Sequence, residues 1–311
     1  MMNIDTIFKV FKLGRFHFPL AGLSVFSMGA LLALLAGAKF YLDRFLLSYF
    51  IILMVQLAAS YSNNYFDADV DRYNEPATFS GGTRILLTDR ALSNFTKWLA
   101  AFLMAFSLIL SIVFVVVFSF PALFVVLVIS GDLLAWYYTA PPIRLSYRGL
   151  GEIAVMLAVG LLLPGMGYFV LEKGFAVPFW KFVLPALLYA LALIINIEIP
   201  DMEGDHIGKK NTLVVLRGRS FGFSLTLLLP LLATVYFFIS SRVSHLPCTI
   251  DYWLIAVFSL LPLGSAILSF FKTSGGKATN KSLIMKATVG NIFSLILFVL
   301  ILDGYFVFSL N

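Results

Sequence analysis

Nine runs of predominantly apolar residues, each about as long as a helix must be to cross a bilayer, account for most of this chain. They fall at roughly 17–38, 45–65, 97–118, 120–138, 152–171, 178–199, 220–240, 251–271 and 286–308. Inside hydrocarbon every backbone polar group must be satisfied within the protein, so spanning segments are helices or closed barrels, and runs of this length are helices. The chain is therefore expected to be an all-α, polytopic membrane protein with nine transmembrane helices in one domain, 1–311. Composition agrees: 12% of residues are charged and the mean hydropathy is +0.96, whereas a soluble domain carries about 25% charged residues. The least regular boundary is Ser119-Phe120-Pro121. The run from Leu99 to Tyr138 is too long for one span and has no charge before Asp132, and Pro121 is where it should turn. Met1 to Phe16, with Lys9, Lys12 and Arg15, reads as an interfacial amphipathic lead-in, retained rather than cleaved as a signal.

Charge gives this arrangement an orientation. Of the 22 Lys and Arg, 17 fall in the N-terminus and alternate loops, and 5 (Lys39, Arg44, Lys173, Lys181 and Arg242) lie on the opposite side. By the positive-inside rule the N-terminus faces the cytoplasm and the C-terminus faces out. The net charge of +6 is scattered between apolar runs without a basic stripe, so it serves topology rather than nucleic-acid binding. Nothing calls for an obligate protein partner; the lipid bilayer is the one partner implied so far. Cys248, the single cysteine, excludes an intramolecular disulfide, a Cys-rich zinc site and an iron–sulfur cluster, and reads as an apolar filler. Trp98, Trp180 and Trp253 lie near span ends as an aromatic belt, and His17 and His245 are expected at the interfaces.

Two polar stretches stand out against this background. Asn63-Asn64-Tyr65-Phe66-Asp67-Ala68-Asp69-Val70-Asp71 leaves the second apolar run with three carboxylates and two carboxamides. If the helix continues, Asn63, Asp67 and Asp71 share one face, a set that suits Mg²⁺, which binds one or two carboxylates and keeps waters or substrate phosphates. Asn196-Ile197-Glu198-Ile199-Pro200-Asp201-Met202-Glu203-Gly204-Asp205 follows the sixth run and again spaces two Asp by four. Both come at the cytoplasmic end of an outward-to-inward helix. This suggests two pseudo-repeats, about 17–138 and 152–271, plus a ninth helix at about 286–308, with the carboxylates facing each other at one mouth. Pro200 is expected to break the sixth helix. Asp69 and Glu203 read as solvated or supporting groups, and Lys210, Arg217 and Arg219 as topology anchors.

These residues resemble the UbiA superfamily of intramembrane prenyltransferases, a nine-helix bundle with a first motif N-D-x-x-D-x-x-x-D and a second motif D-x-x-x-D. Asn63, Asp67 and Asp71 match the first, with Asn64 where Asp is usual; Asp201 and Asp205 match the second. The continuation Asp205-His206-Ile207-Gly208-Lys209-Lys210-Asn211-Thr212-Leu213 is similar to D-R-x-x-G-K-x-T-L, with His206 in place of Arg. Tyr137 to Glu152, reading Y-Y-T-A-P-P-I-R-L-S-Y-R-G-L-G-E, resembles the corresponding segment of the dihydroxynaphthoate prenyltransferases of menaquinone biosynthesis. Ser80-Gly81-Gly82-Thr83-Arg84 is similar to a glycine-rich stretch of that branch. Glu198-Ile199-Pro200 departs from it, where N-N-x-R is common.

The resemblance implies Mg²⁺-dependent transfer of a polyprenyl group from a prenyl diphosphate to a small aromatic acceptor. That acceptor is in the first place 1,4-dihydroxy-2-naphthoate, with 4-hydroxybenzoate, homogentisate, and a chlorophyll or archaeal lipid precursor as alternatives. Asp67, Asp71, Asp201 and Asp205 would hold the metal. Asn63, Asn64, Arg72, Arg84, Arg144 and Lys209, with Arg148 as a further candidate, would contact the diphosphate. Tyr138, or Tyr137 or Tyr65, would face the allyl cation. Asp132, an ionisable group inside the fourth helix, is costly there and expected to be functional, orienting the acceptor or holding a lysine. The Gly204 to Lys210 run lacks the spacing of a phosphate loop. A secondary transporter is the alternative outside enzymes. A phosphatidyltransferase lacks support, because its D-G-x-x-A-R signature is absent.

Overall fold

The computed structural model describes residues 4–74, 79, 82–243, 250–274 and 279–310. His245 and Cys248, and Ser80 and Gly81 of the glycine-rich stretch, lie outside the described residues. The helices are α1 (Ile4–Leu13), α2 (His17–Leu35), α3 (Leu42–Phe66), α4 (Ala68–Asp71), α5 (Ile85–Thr88), α6 (Leu92–Phe118), α7 (Leu123–Tyr137), α8 (Gly151–Leu157), α9 (Leu163–Glu172), α10 (Val177–Ile207), α11 (Leu213–Arg217), α12 (Arg219–Val243), α13 (Tyr252–Phe258), α14 (Leu260–Thr273) and α15 (Lys281–Ser309). A π-helical segment, Ala158–Leu162, joins α8 to α9 without a break, and a 3₁₀ turn occupies Leu145–Tyr147. Among the described residues there is no strand.

Eight continuous helical stretches are long and apolar enough to span a bilayer, and α7 is a shorter apolar helix beside them, so the nine expected spans are all helical. The turn expected at Pro121 is present: α6 ends where Ser119 takes the left-handed conformation (φ 48°), and α7 starts just after Pro121. Beneath that turn Phe114 stacks on Phe124 at 4.2 Å. The lead-in is an amphipathic helix, α1, that leaves Ile4, Ile7, Phe8 and Phe11 exposed. One expectation fails. Pro200 does not break its helix; α10 runs unbroken from Val177 to Ile207 with Pro185 and Pro200 inside it. Arg219 at the start of α12 donates from Nε to the Ile199 carbonyl (3.0 Å) and from a terminal nitrogen to that of Pro200 (3.4 Å), tying α12 to the proline-containing turn of α10.

The bundle is a closed ring. α3 packs on α6 and α7, α2 on α9, and α10 on α8, the π segment, α12 and α15; α14 lies on α12 and α15, and α15 returns to α2. Large apolar side chains such as Phe102, Ile109 and Val116 point outward, the pattern of a surface solvated by lipid. Inside the ring, the Asn291 carboxamide donates to Asn196 (3.0 Å) and accepts from Ser265 (2.8 Å) and Ser269 (2.9 Å). This polar tie joins α10, α14 and α15.

Candidate active site

The two acidic stretches meet at one end of the ring. α3 ends at Phe66 and Asp67 takes its cap position, but the backbone keeps helical hydrogen bonds, Asp67 N to Asn63 O and Asp71 N to Asp67 O, both 2.9 Å. That continuity keeps Asn63, Asp67 and Asp71 on one side. Across from them α10 presents Asp201 and Asp205. All five line one polar pocket of about 110 Å³, together with Asn64 and Tyr138.

The pocket is electrostatically tense and partly neutralised from within. Asp67 and Asp205 are each 5% exposed. Between them sits the Lys210 ammonium, 2.7 Å from Asp67 Oδ2 and 3.7 Å from Asp205 Oδ1. Burial alone would lower the lysine's pKa, but the two carboxylates outweigh it and hold it above the ordinary lysine range. The Tyr147 hydroxyl donates to the other Asp67 oxygen (2.7 Å), and the Asn74 amide donates to Asp205 (3.2 Å). Burial, joined by the Asp67 charge, pushes the Asp71 carboxyl up to about 7.

Lys210 is directed there by how α10 ends. The Lys209 amide donates to the His206 carbonyl and the Lys210 amide to that of Asp205, with Lys209 at φ 62°. This is the paired hydrogen-bond pattern of a left-handed helix cap, with lysine in the position glycine usually takes. It turns Lys209 out to solvent and folds Lys210 back over the pocket. The expectation for this pair is thereby reversed: Lys209 is exposed and does not line the pocket, and Lys210 is not a surface anchor.

The other expected diphosphate contacts divide in the same way. Asn63 lines the pocket and accepts from Thr139 (3.0 Å). Asn64 also lines it, but its amide donates to the Leu13 and Ser60 carbonyls and its oxygen accepts from Thr83. Arg72 is turned away, paired with Asp69 on the exposed surface at 3.0 Å. Arg84 straps the turn after α4, donating to the backbone carbonyls of Asp71 (3.2 Å) and Asn74. Arg144 lies 3.9 Å over the Tyr147 ring and Arg148 donates to the Pro142 carbonyl; neither lines the pocket. Arg15, read above only as an N-terminal cation, does line it and donates to the Phe79 carbonyl (3.1 Å). Asn74, which also lines the pocket, and Tyr147, which reaches it only through Asp67, were not singled out by spacing, because they come from a loop and a short 3₁₀ turn.

Two glycines allow the closeness. Gly82 sits at φ 55°, and a Cβ there would fall 1.9 Å from Asp71 Oδ2; a Cβ on Gly204 would fall 1.7 Å from Asn74 Oδ1. Glu198, 4% exposed, faces the same pocket with neither carboxylate oxygen hydrogen-bonded among the described residues. Asp132 is buried in α7, where it accepts from Ser107 (2.9 Å) and pairs with no lysine among the described residues. Arg219, expected as an anchor, is buried and pairs with Glu203.

Beneath the polar pocket lies an apolar chamber of about 320 Å³ that shares Arg15, Asn63 and Tyr138 with it. The half-buried Tyr138 ring thus stands where the charged mouth meets hydrocarbon. An anionic headgroup with an apolar tail is the shape such a pair of cavities accommodates.

The UbiA prenyltransferase family model matches residues 23–299. No curated protein sequence matches the chain. Among solved structures, the fold is similar to an apo UbiA homologue from Aeropyrum pernix K1 (TM-score 0.65, 17% identity, 92% of this chain and 96% of that one). It is also similar to a UbiA homologue from Archaeoglobus fulgidus bound to GPP and Mg²⁺ (TM-score 0.64, 15% identity, 95% and 99%). A digeranylgeranylglyceryl phosphate synthase in membranes gives a TM-score of 0.62 at 18% identity, over 95% and 99%. At these identities the structures share the fold; the family model, which spans most of the chain, assigns the rest, and the chain belongs to the UbiA prenyltransferase family as an integral membrane enzyme of the prenyltransferase class.

Proposed function

We propose that this enzyme transfers a polyprenyl group from a prenyl diphosphate to a small aromatic acceptor, in the first place 1,4-dihydroxy-2-naphthoate, with Mg²⁺ at the cytoplasmic face of the membrane. The observation that carries this reading is the junction itself: four carboxylates from two helix ends line a polar pocket that opens, past Tyr138, into an apolar chamber. The donor set suits Mg²⁺. It consists of hard oxygens in pairs, and Mg²⁺ takes only one or two carboxylates when phosphates and waters complete its shell. Asp67 and Asp71 from one end would hold one ion, and Asp201 and Asp205 from the other would hold a second. The Archaeoglobus homologue bound to GPP and Mg²⁺ supports Mg²⁺ as the metal and a prenyl diphosphate as the donor.

The chain's own residues take the following parts. Lys210 and Asn63 hold the diphosphate from the pocket wall. Arg84 and Arg144 act through the backbone and the ring they brace, and Lys209 faces solvent. When bound, Mg²⁺ supplies Lewis-acid stabilisation of the leaving diphosphate. As the allylic C–O bond breaks, the electron pair leaves with the diphosphate, and Tyr138 presents its ring to the allyl cation. An electron-rich ring carbon of the acceptor then forms the new bond, and the proton on that carbon passes to the released diphosphate, restoring the aromatic ring. Arg15, shared between the pocket and the chamber, is available to the acceptor's carboxylate, and Glu198 to a phenolic hydroxyl. The resemblance of Tyr137 to Glu152 to the menaquinone branch supports the naphthoate. The two acidic helix groups are read as pseudo-repeats, about 17–138 and 152–271, with the N-terminus inside.

The test is prenyl transfer by the purified protein with geranylgeranyl diphosphate and a panel of the naphthoate, 4-hydroxybenzoate, homogentisate and glycerol-phosphate lipid acceptors, with and without Mg²⁺, read by mass spectrometry. A Mg²⁺-dependent naphthoate adduct is expected. An adduct with another acceptor corrects the branch, and no diphosphate release with any acceptor overturns the reading.

A further inference from the structure

Lys210 is the cation that ties the two acidic ends together. Its ammonium lies 2.7 Å from Asp67 Oδ2 and 3.7 Å from Asp205 Oδ1, so it pairs with one carboxylate from each end. The second Asp67 oxygen accepts from the Tyr147 hydroxyl, and Asp205 Oδ1 also accepts from Asn74. Asp67 is therefore committed at both oxygens within the protein. Arg15, the other cation lining the pocket among the described residues, directs its hydrogen bond to the Phe79 carbonyl instead.

Mg²⁺ bonds a carboxylate oxygen at about 2.0–2.1 Å, so an ion on Asp67 Oδ2 would lie within about 5 Å of the Lys210 ammonium, whatever the angle at the oxygen. Like charges that close in a buried pocket repel strongly, because little water screens them. The ammonium and the ion are competitors for that oxygen. The backbone of Lys210 is fixed, but its side chain is not. The left-handed Lys209 and the bond from the Lys210 amide to the Asp205 carbonyl set where its Cα stands. The residues that follow are held by the Thr212 cap of α11 and by Glu152, which accepts from the Leu213 amide. Beyond that fixed point is a flexible four-carbon stem with a point charge at its tip, which swings across the pocket while both acidic ends stay in place.

Resting on the reading of the site as one for Mg²⁺ and a prenyl diphosphate, we infer that Lys210 is an exchangeable counter-ion that makes metal and diphosphate bind as a pair. Against Mg²⁺ alone, the ammonium holds Asp67 and Asp205. A diphosphate offers the ammonium another anion, and its move to that anion frees both carboxylates for metal. Such coupling is reciprocal: the donor tightens the metal by the same factor as the metal tightens the donor. A lysine that only tied the two ends together has the opposite signature, because its loss would let Asp67 and Asp205 splay and would weaken metal binding.

The experiment measures Mg²⁺ binding to the full-length protein in lipid nanodiscs by isothermal titration calorimetry. Titrations are run without any diphosphate and with saturating geranylgeranyl thiolodiphosphate, an unreactive donor analogue whose own affinity for Mg²⁺ is subtracted. Lys210→Met is expected to bind Mg²⁺ alone about tenfold more tightly than wild type, and to lose most of the gain that the analogue gives wild type. Lys209→Gln, on the solvent side of the same cap, is expected to match wild type. Should Lys210→Met fail to fold, Lys210→Gln carries the same expectation. Unchanged or weaker binding of Mg²⁺ alone by the folded Lys210 variant overturns the exchange and leaves Lys210 a structural tie. Equal tightening in Lys209→Gln also overturns it, since the effect would then be one of general charge. If wild type binds the analogue neither with nor without Mg²⁺, the prenyl-diphosphate reading itself falls, and the exchange with it.

Discussion

At the first acidic end α3 stops at Phe66, Asp67 takes the cap position, and the chain restarts as the single turn α4; at the second, α10 carries Asp201 and Asp205 on its last turns without interruption. The first end is held from outside: Arg84 and Gly82 fix the turn around Asp71, Thr83 bonds Asn64, and Tyr147 bonds Asp67. The second is held by its own helical ladder, braced by Arg219 under Pro200. Similar carboxylate pairs can thus be presented by a strapped break or by a continuous helix. The strapped end depends on many distant residues and is the more easily deformed.

The largest expected effect tests whether the two ends work as one unit. Asp67→Ala and Asp201→Ala should each reduce prenyl transfer by about 10²-fold or more, and the double variant should be little worse than either, as for groups that act together. Additive losses in a steady-state assay would mean that the ends serve separate steps.

A smaller effect separates the two backbones. Gly82→Ala demands a left-handed conformation of alanine and drives a methyl into Asp71, so activity should fall by about tenfold with little change in melting temperature, the site being a loop. Gly204→Ala pushes Asn74 off Asp205 where α4 meets α10, and should lower activity and melting temperature together. Equal thermal effects in a melting assay would erase the distinction between strapped and continuous ends.

One part of the pH dependence comes from the first end. Asp71 titrates at about 7 in the folded chain against 3.8 as an ordinary carboxyl, so between these values only the folded state holds the proton. Stability of the metal-free protein should therefore fall as pH rises from about 4 to 7. Mg²⁺-dependent donor binding should rise over the upper part of that range by up to about tenfold per pH unit, because the metal needs the ionised carboxylate. Melting curves and titrations of Asp71→Asn should show both dependences flattened. Smallest of all, Tyr147→Phe removes one hydrogen bond to Asp67, about 1 kcal/mol, and should lower turnover only a few-fold; an effect as large as that of Asp67→Ala would make Tyr147 a direct participant.

The carboxylates were legible in the chain because their spacing is helical and helical spacing survives packing: Asn63, Asp67 and Asp71 stay on one side even though α3 ends between them. The cations were not. Lys209 and Lys210 are equivalent on paper, and one left-handed residue at the end of α10 decides which of them enters the pocket. Arg72, Arg84 and Arg144 belong to segments near the site, but each finds a nearer partner: the Asp69 carboxylate, two backbone carbonyls and the Tyr147 ring. Arg15, Asn74 and Tyr147 reach the pocket from segments whose direction no local pattern encodes.

What the sequence determined by itself is the solvent, the helices and the two acidic ends, because apolar length and side-chain period are local properties. What only the tertiary structure decided is which cation stands among the acids and that α10 passes through Pro200 unbroken. These depend on contacts between residues far apart in the chain, such as Arg219 with Pro200 or Lys210 with Asp67, and contacts of that kind have no period to read.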